Sequence, residues 1–114
     1  MAKTYIPDQG DLIYLNFTPQ QGREQAGRRP ALVLSPRKYN EKTNLAIVCP
    51  VTSKQKNYPF EVLLPNDLPI RGVILADHVK NLDWNERKAR LISTVPKATL
   101  QRVTNLISLL ISKN

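Results

Sequence analysis

Ala31-Leu32-Val33-Leu34-Ser35 is an apolar run with no polar residue before its last position. A strand with one face in water alternates apolar and polar residues, so an unbroken run predicts a strand covered on both faces. Its neighbours share this character. Upstream, Asp11-Leu12-Ile13-Tyr14-Leu15-Asn16-Phe17 follows Gly10 and stops at Thr18-Pro19. Downstream come Leu45-Ala46-Ile47-Val48-Cys49-Pro50-Val51, then Phe60-Glu61-Val62-Leu63-Leu64 and Gly72-Val73-Ile74-Leu75-Ala76, the last two joined by a proline-rich loop at 65–71. Arg90-Leu91-Ile92-Ser93-Thr94-Val95 is a further short strand. Pro, Gly and Asn separate these stretches, as turns require.

The period changes at the C-terminus. Leu100, Val103, Leu106, Ile107, Leu110 and Ile111 recur at helical spacing with polar residues between them, which predicts a helix laying one apolar stripe on a sheet. Pro96 suits its first turn, where a missing N–H costs nothing. Short strands closed by one helix give a mainly β, α+β fold, a small and strongly curved barrel. No linker, repeat or low-complexity tract divides the chain, so residues 1–114 read as a single domain.

Composition narrows the function. With 17 Lys+Arg against 9 Asp+Glu the formal charge is +8, a surface that draws phosphate backbones and acidic proteins or simply keeps a small protein soluble. No apolar run approaches the roughly 18 to 20 residues of a membrane span, and the N-terminus has no signal-peptide core. The expectation is a cytoplasmic protein. One cysteine, Cys49, excludes an internal disulfide, and with the lone His78 it offers no metal-ligand cluster. Cys49 reads as a small core residue and His78, beside Asp77, as a hydrogen-bonded structural one. Trp84, among charged neighbours, is open to an interface role.

Two loops carry more specific polar chemistry than a turn needs. In Gln20–Pro30, glycines allow a tight excursion and Arg29 stands directly before Pro30, which restrains its backbone. The guanidinium is then either an aimed fork for phosphate or one half of a surface ion pair with Glu24. In Val51–Phe60, hydroxyls at a strand end, two lysines and an aromatic–proline pair form either one wall of a nucleotide groove or a polar hairpin loop. Tyr14 and Phe17 likewise read as core aromatics or as base-stacking platforms.

The stretches Pro7–Ile13, Phe17-Thr18-Pro19, Gly22–Ser35, Tyr39-Asn40, Pro50–Ser53, Lys56, Tyr58–Val62 and Ala76–Lys80, in this order and over nearly the whole chain, resemble toxins of the MazF/PemK type, mRNA interferases of type II toxin–antitoxin modules. The resemblance implies an SH3-like barrel of the PemK/CcdB type with a C-terminal helix, and a homodimer. It implies sequence-selective cleavage of single-stranded RNA, above all mRNA, without metal or other cofactor, giving 2′,3′-cyclic phosphate and 5′-hydroxyl ends and stopping translation. It implies a cognate acidic, MazE-like antitoxin, with DNA contacted only through that partner. By position, Arg29 and Thr52 match the family's catalytic pair, and Glu24 an acidic residue that either orients Arg29 or accepts the 2′-proton. Tyr14, Phe17, Lys56 and Lys80 fall where relatives contact RNA, as do Gln25, Arg28, Asn40, Ser53 and Tyr58. Position 14 departs from the pattern, since relatives often carry Trp there. Competing readings are a CcdB-like gyrase poison, which lacks the Arg-Pro and Pro-x-Thr constellation, and a plain nucleic-acid-binding module.

Overall fold

Ala31, Leu32 and Val33 are completely buried, because their strand, set between two others, has a core on each face. The computed structural model describes residues 5–17 and 27–112. Within these the order is β1 (Asp11–Asn16), β2 (Arg28–Val33), α1 (Arg37–Thr43), β3 (Leu45–Thr52), β4 (Glu61–Leu63), β5 (Val73–Leu75), β6 (Lys80–Asp83), β7 (Arg90–Thr94) and α2 (Lys97–Ile111). All pairings are antiparallel. The spatial order is β4-β5-β3-β2-β1-β7, with β6 also on β3. β3 pairs along its first half with β6 and at its end with β5, so the sheet turns about this one long strand. The architecture is α+β, a curved antiparallel sheet with two helices.

Alternation along the central strands builds two cores on opposite faces. Leu12, Leu32, Cys49 and Val51 enter the cluster that α2 closes with Val103. Ile13, Leu15, Ala31, Val33, Ala46 and Val48 enter the other, closed by Trp84. At about 25 cal/mol per Å² of apolar surface removed from water, such residues supply most of the drive to fold.

Several expectations need correcting. The described residues hold two helices, not one: α1 follows β2, ends at Asn44 in the left-handed region (φ 63°), and is anchored from inside by Asn40. Asn40 donates to the carbonyls of Pro7 (2.8 Å) and Ser35 (3.0 Å), and its own carbonyl accepts the Trp84 indole N–H (2.9 Å). Trp84 is therefore a core residue rather than an interface one. β6 has no counterpart among the strands expected from the pattern, and β2 starts at Arg28, three residues before the apolar run. Pro30 fits inside β2 because β2 pairs there with β1 only; its pairing with β3 begins at Ala31. Pro96 stands one residue before α2, at its N-cap. The apolar stripe of α2 also stops short, for Leu110 and Ile111 are exposed.

Candidate functional site

Strand pairing brings Arg29 and Thr52, two residues of the expected catalytic set that are distant in the chain, to the same end of β2 and β3. β2 and β3 pair as Ala31 with Pro50, Leu32 with Cys49 and Val33 with Val48. The ladder ends at Ala31–Pro50. Arg29 stands two residues before that pair on β2 and Thr52 two residues after it on β3, so both lie at the same end of the pair, where β3 goes on to pair with β5 through Val51 and Thr52. Residues two apart on a strand share a face. Arg29 therefore shares the face of Ala31, and Thr52 that of Pro50, the face that carries the Trp84 core. Both residues are half-buried. Lys80, the partner of Val48 on β6, stands exposed on this face, and Phe17 packs at the border of the same core.

The loop after Thr52 is held by its backbone. The Lys54 N–H donates to Thr52 Oγ1 (3.2 Å). The Lys56 N–H donates to both carboxylate oxygens of Glu61 (3.2 and 3.0 Å), and the Tyr58 N–H lies 3.4 Å from Glu61 Oε1. A Thr hydroxyl that accepts from the backbone still has its own proton to give, so Thr52 is poised as a donor to an anionic oxygen. Ser53, Lys54, Lys56 and Tyr58 are exposed along this loop. Neither Glu61 nor Gly72, which packs against the Thr52 carbonyl, stands out in the sequence. Nothing in the pattern marks Glu61 except its place directly after the loop.

Asp77 sits behind the loop. Hydrogen bonding and charge from its carboxylate raise the Tyr58 phenol above its ordinary value, while the Tyr58 ring packs tilted on Phe60, centroids 5.9 Å apart. The Asp77 Oδ1 atom is buried without a hydrogen-bond partner among the described residues. His78 Nε2 is 3.7 Å from it, too long for the hydrogen bond expected of a structural histidine. Cys49 is buried in the core, as its apolar strand predicts.

The remaining candidates divide. Tyr14 and Arg28 alternate onto the opposite face from Arg29. Arg28 is occupied there, donating to Asn16 Oδ1 and to the Lys88 carbonyl (2.8 Å each), with its guanidinium 5.9 Å from the Tyr14 ring centroid. It ties strand ends together and leaves little of its fork for phosphate. Asn40, with no exposed surface, cannot reach RNA; its amide is spent within the fold. Glu24 and Gln25 lie outside the described residues. Among those described, no group of three or more His, Cys, Asp or Glu is arranged to hold a metal ion, and no helix is long and apolar enough to cross a membrane.

A half-buried Arg and a donor-poised Thr at the same end of two paired strands, beside exposed lysines, are equipped to grip a phosphodiester. Known proteins share this fold. The chain is 47% identical over 111 residues to the endoribonuclease toxin MazF of Escherichia coli K12, covering 97% of this chain and 99% of that relative. It superposes on the MazE–MazF crystal structure (Form-II) from Deinococcus radiodurans with a TM-score of 0.92 at 51% identity, covering 97% of this chain and all of that one. On the MazF crystal structure (Form-I) from the same organism the TM-score is 0.87 at 53% identity, with 95% and 98% covered. A family model described as PemK-like, MazF-like toxin of type II toxin–antitoxin system matches residues 8–111, and the chain belongs to that family.

Proposed function

We propose that this chain is a toxin endoribonuclease of the cytoplasm, acting on single-stranded RNA, mRNA above all, as a single-domain homodimer, and silenced by an acidic antitoxin. The observation that carries the reading is the β2–β3 pairing, which leaves Arg29 and Thr52 at the same end of the ladder, each two residues beyond the Ala31–Pro50 pair. Escherichia coli MazF, alike over nearly the full length of both chains, is named an endoribonuclease toxin. Complexes with MazE among the structural neighbours support the antitoxin. A net charge of +8 suits both an RNA backbone and an acidic partner tail. Through such a partner, and not directly, the toxin meets DNA.

In the reaction, the 2′-oxygen of RNA bonds to the adjacent phosphorus and the bond from phosphorus to the next 5′-oxygen breaks. The 2′-proton is lost, and a proton goes to the departing oxygen. The nucleophile belongs to the substrate, so the protein has to align it, stabilise charge and move protons; no metal-activated water is needed. Arg29 grips the non-bridging oxygens with a planar, permanently charged fork. Thr52 donates its hydroxyl proton to the same phosphate. Lys56 and Lys80 hold flanking phosphates, with Ser53 and Gln25 as further contacts, while Phe17 and Tyr58 offer ring faces to bases. Glu24 orients Arg29 or accepts the 2′-proton. The exposed apolar end of α2, Leu109, Leu110 and Ile111, is surface that a dimer can use.

The test is cleavage of a long single-stranded RNA and its DNA counterpart in EDTA, with the product ends mapped. Discrete RNA cuts with 5′-hydroxyl and 2′,3′-cyclic phosphate ends, and intact DNA, are expected. Cleavage that stops in EDTA, or equal cutting of DNA, overturns the mechanism. Folded protein that cuts no RNA overturns the function.

A further inference from the structure

Glu61 opens β4, yet its carboxylate reaches back along the chain and not across the sheet. Both of its oxygens accept the Lys56 N–H, and Oε1 also faces the Tyr58 N–H. At the other end of the same loop, Thr52 Oγ1 accepts the Lys54 N–H. The inward N–H groups of residues 54, 56 and 58 thus converge on two side chains at the two ends of the loop. An exposed connection of this kind would otherwise sample many backbone conformations, and ordering it costs conformational entropy. Hydrogen bonds to an ionised acceptor are about twice as strong as neutral ones.

A carboxylate is an unexpected choice in a wall meant for phosphate, since its charge opposes the ligand. Facing the backbone reconciles the two demands: the negative charge is spent on two N–H dipoles, half-buried, while the exposed ammonium groups of Lys54 and Lys56 remain for the ligand. We infer that Glu61 is a positioning residue of the RNA groove, one whose carboxylate fixes the 53–59 loop so that Lys54 and Lys56 meet consecutive phosphates next to Thr52. This rests on the endoribonuclease reading and adds to it a residue that touches no substrate.

The experiment compares the full-length protein with Glu61→Ala and Glu61→Gln, the latter keeping one carbonyl acceptor. Three readouts are taken: kcat and KM on a mapped RNA site, the salt dependence of binding to the same RNA made uncleavable by a 2′-deoxy substitution, and amide hydrogen exchange at Lys56 and Tyr58. In Glu61→Ala, KM rises by about tenfold, the effect of one charge-assisted hydrogen bond, while kcat changes little. The slope of log K against log salt becomes shallower by about 0.7 for each phosphate that the loop no longer holds, and both amides exchange faster. Glu61→Gln falls between Ala and the native protein in all three. A general loss of stability would not change the salt slope. Should Glu61→Ala fail to fold, Glu61→Gln carries the same comparison with the native protein. Native KM and salt slope in a folded variant overturn the positioning role, and unchanged exchange at Lys56 and Tyr58 overturns the clamp itself. If the native protein binds no RNA, the exchange readout still reports the clamp, and the failure belongs to the functional reading together with the groove.

Discussion

A methyl group at position 72 would stand 2.3 Å from the Thr52 carbonyl oxygen and 3.0 Å from its carbonyl carbon. Gly72 has φ +138°, a region L side chains rarely adopt, and Val73 beside it pairs with Thr52. The bare α-carbon lets the start of β5 lie directly on the end of β3, which fixes the Thr52–Ser53 peptide. Gly72→Ala should lower stability by about 1–3 kcal/mol. The clash is relieved only by moving backbone, so single-turnover cleavage should fall further than the unfolded fraction accounts for; a shift of about 1 Å can cost roughly a hundredfold. Thermal melts and single-turnover rates on one preparation check this. An equally stable, fully active variant means that Gly72 does not set the position of Thr52.

Arg29 is half-buried at the splayed end of β2, where a planar fork is held for bidentate contact and a flexible ammonium is not. Arg29→Ala should lower kcat by about a hundredfold or more, in the range seen when one transition-state donor is removed. Arg29→Lys should recover only a small part of the loss while binding uncleavable RNA nearly as the native protein does. Full rescue by Lys would show that charge alone suffices.

The parts of the fold legible in the sequence are those whose pattern is imposed by burial on regular elements. β1, β3 and the apolar half of β2 alternate or run unbroken because both faces of the sheet are covered. α1 leaves no such signal: Arg37–Thr43 is a short polar helix whose main hold on the core is Asn40, a polar residue that satisfies buried carbonyls. β6 is written Lys-Asn-Leu-Asp, poor in strand formers, and is recruited by its pairing with β3. The site follows the same division. Arg29 and Thr52 are legible as residue types in their local setting and through the family resemblance, but their common place at one end of the β2–β3 pair depends on a register that no local pattern encodes. Asn40 is misplaced among the RNA contacts because a buried and an exposed Asn look alike in a sequence. Arg28 and Arg29, adjacent in the chain, differ in role because a strand sends them to opposite faces.

That difference between neighbouring arginines is open to measurement. Arg28 bridges Asn16 and the Lys88 carbonyl, tying the end of β1 to the turn that precedes β7. Arg28→Ala should cost about 1 kcal/mol, reduced from the buried value because the group is exposed, and should leave the salt dependence of RNA binding unchanged. Lys56→Ala should do the reverse, with native stability and a shallower slope. Chemical denaturation and salt titrations on both variants separate the two roles. A shallower slope for Arg28→Ala would return it to the RNA contacts.

Cys49 makes stability depend on alkaline pH. Burial first, and the Asp77 charge second, push its thiol from an ordinary 9.0 up to about 12. The folded protein therefore keeps the proton over a range in which the unfolded chain has lost it. Where the unfolded state binds fewer protons, stability falls as pH rises. The contribution is complete below about pH 9 and should be lost at up to about 1.4 kcal/mol per pH unit between 9 and 12. Tyr5, whose hydroxyl donates to the Asp11 carboxylate, is raised by burial first and by Asp11 next, and it acts with the same sign. The two are separated by melting native protein and Cys49→Ala from pH 8 to 11: the Ala variant is less stable at pH 8, having lost a buried sulfur, but its melting temperature should decline less steeply. In the native protein the same protonated, enclosed thiol should resist alkylation at pH 8 until the protein unfolds. Parallel declines in the two proteins, or ready alkylation of the folded native chain, would mean that Cys49 ionises with water at hand.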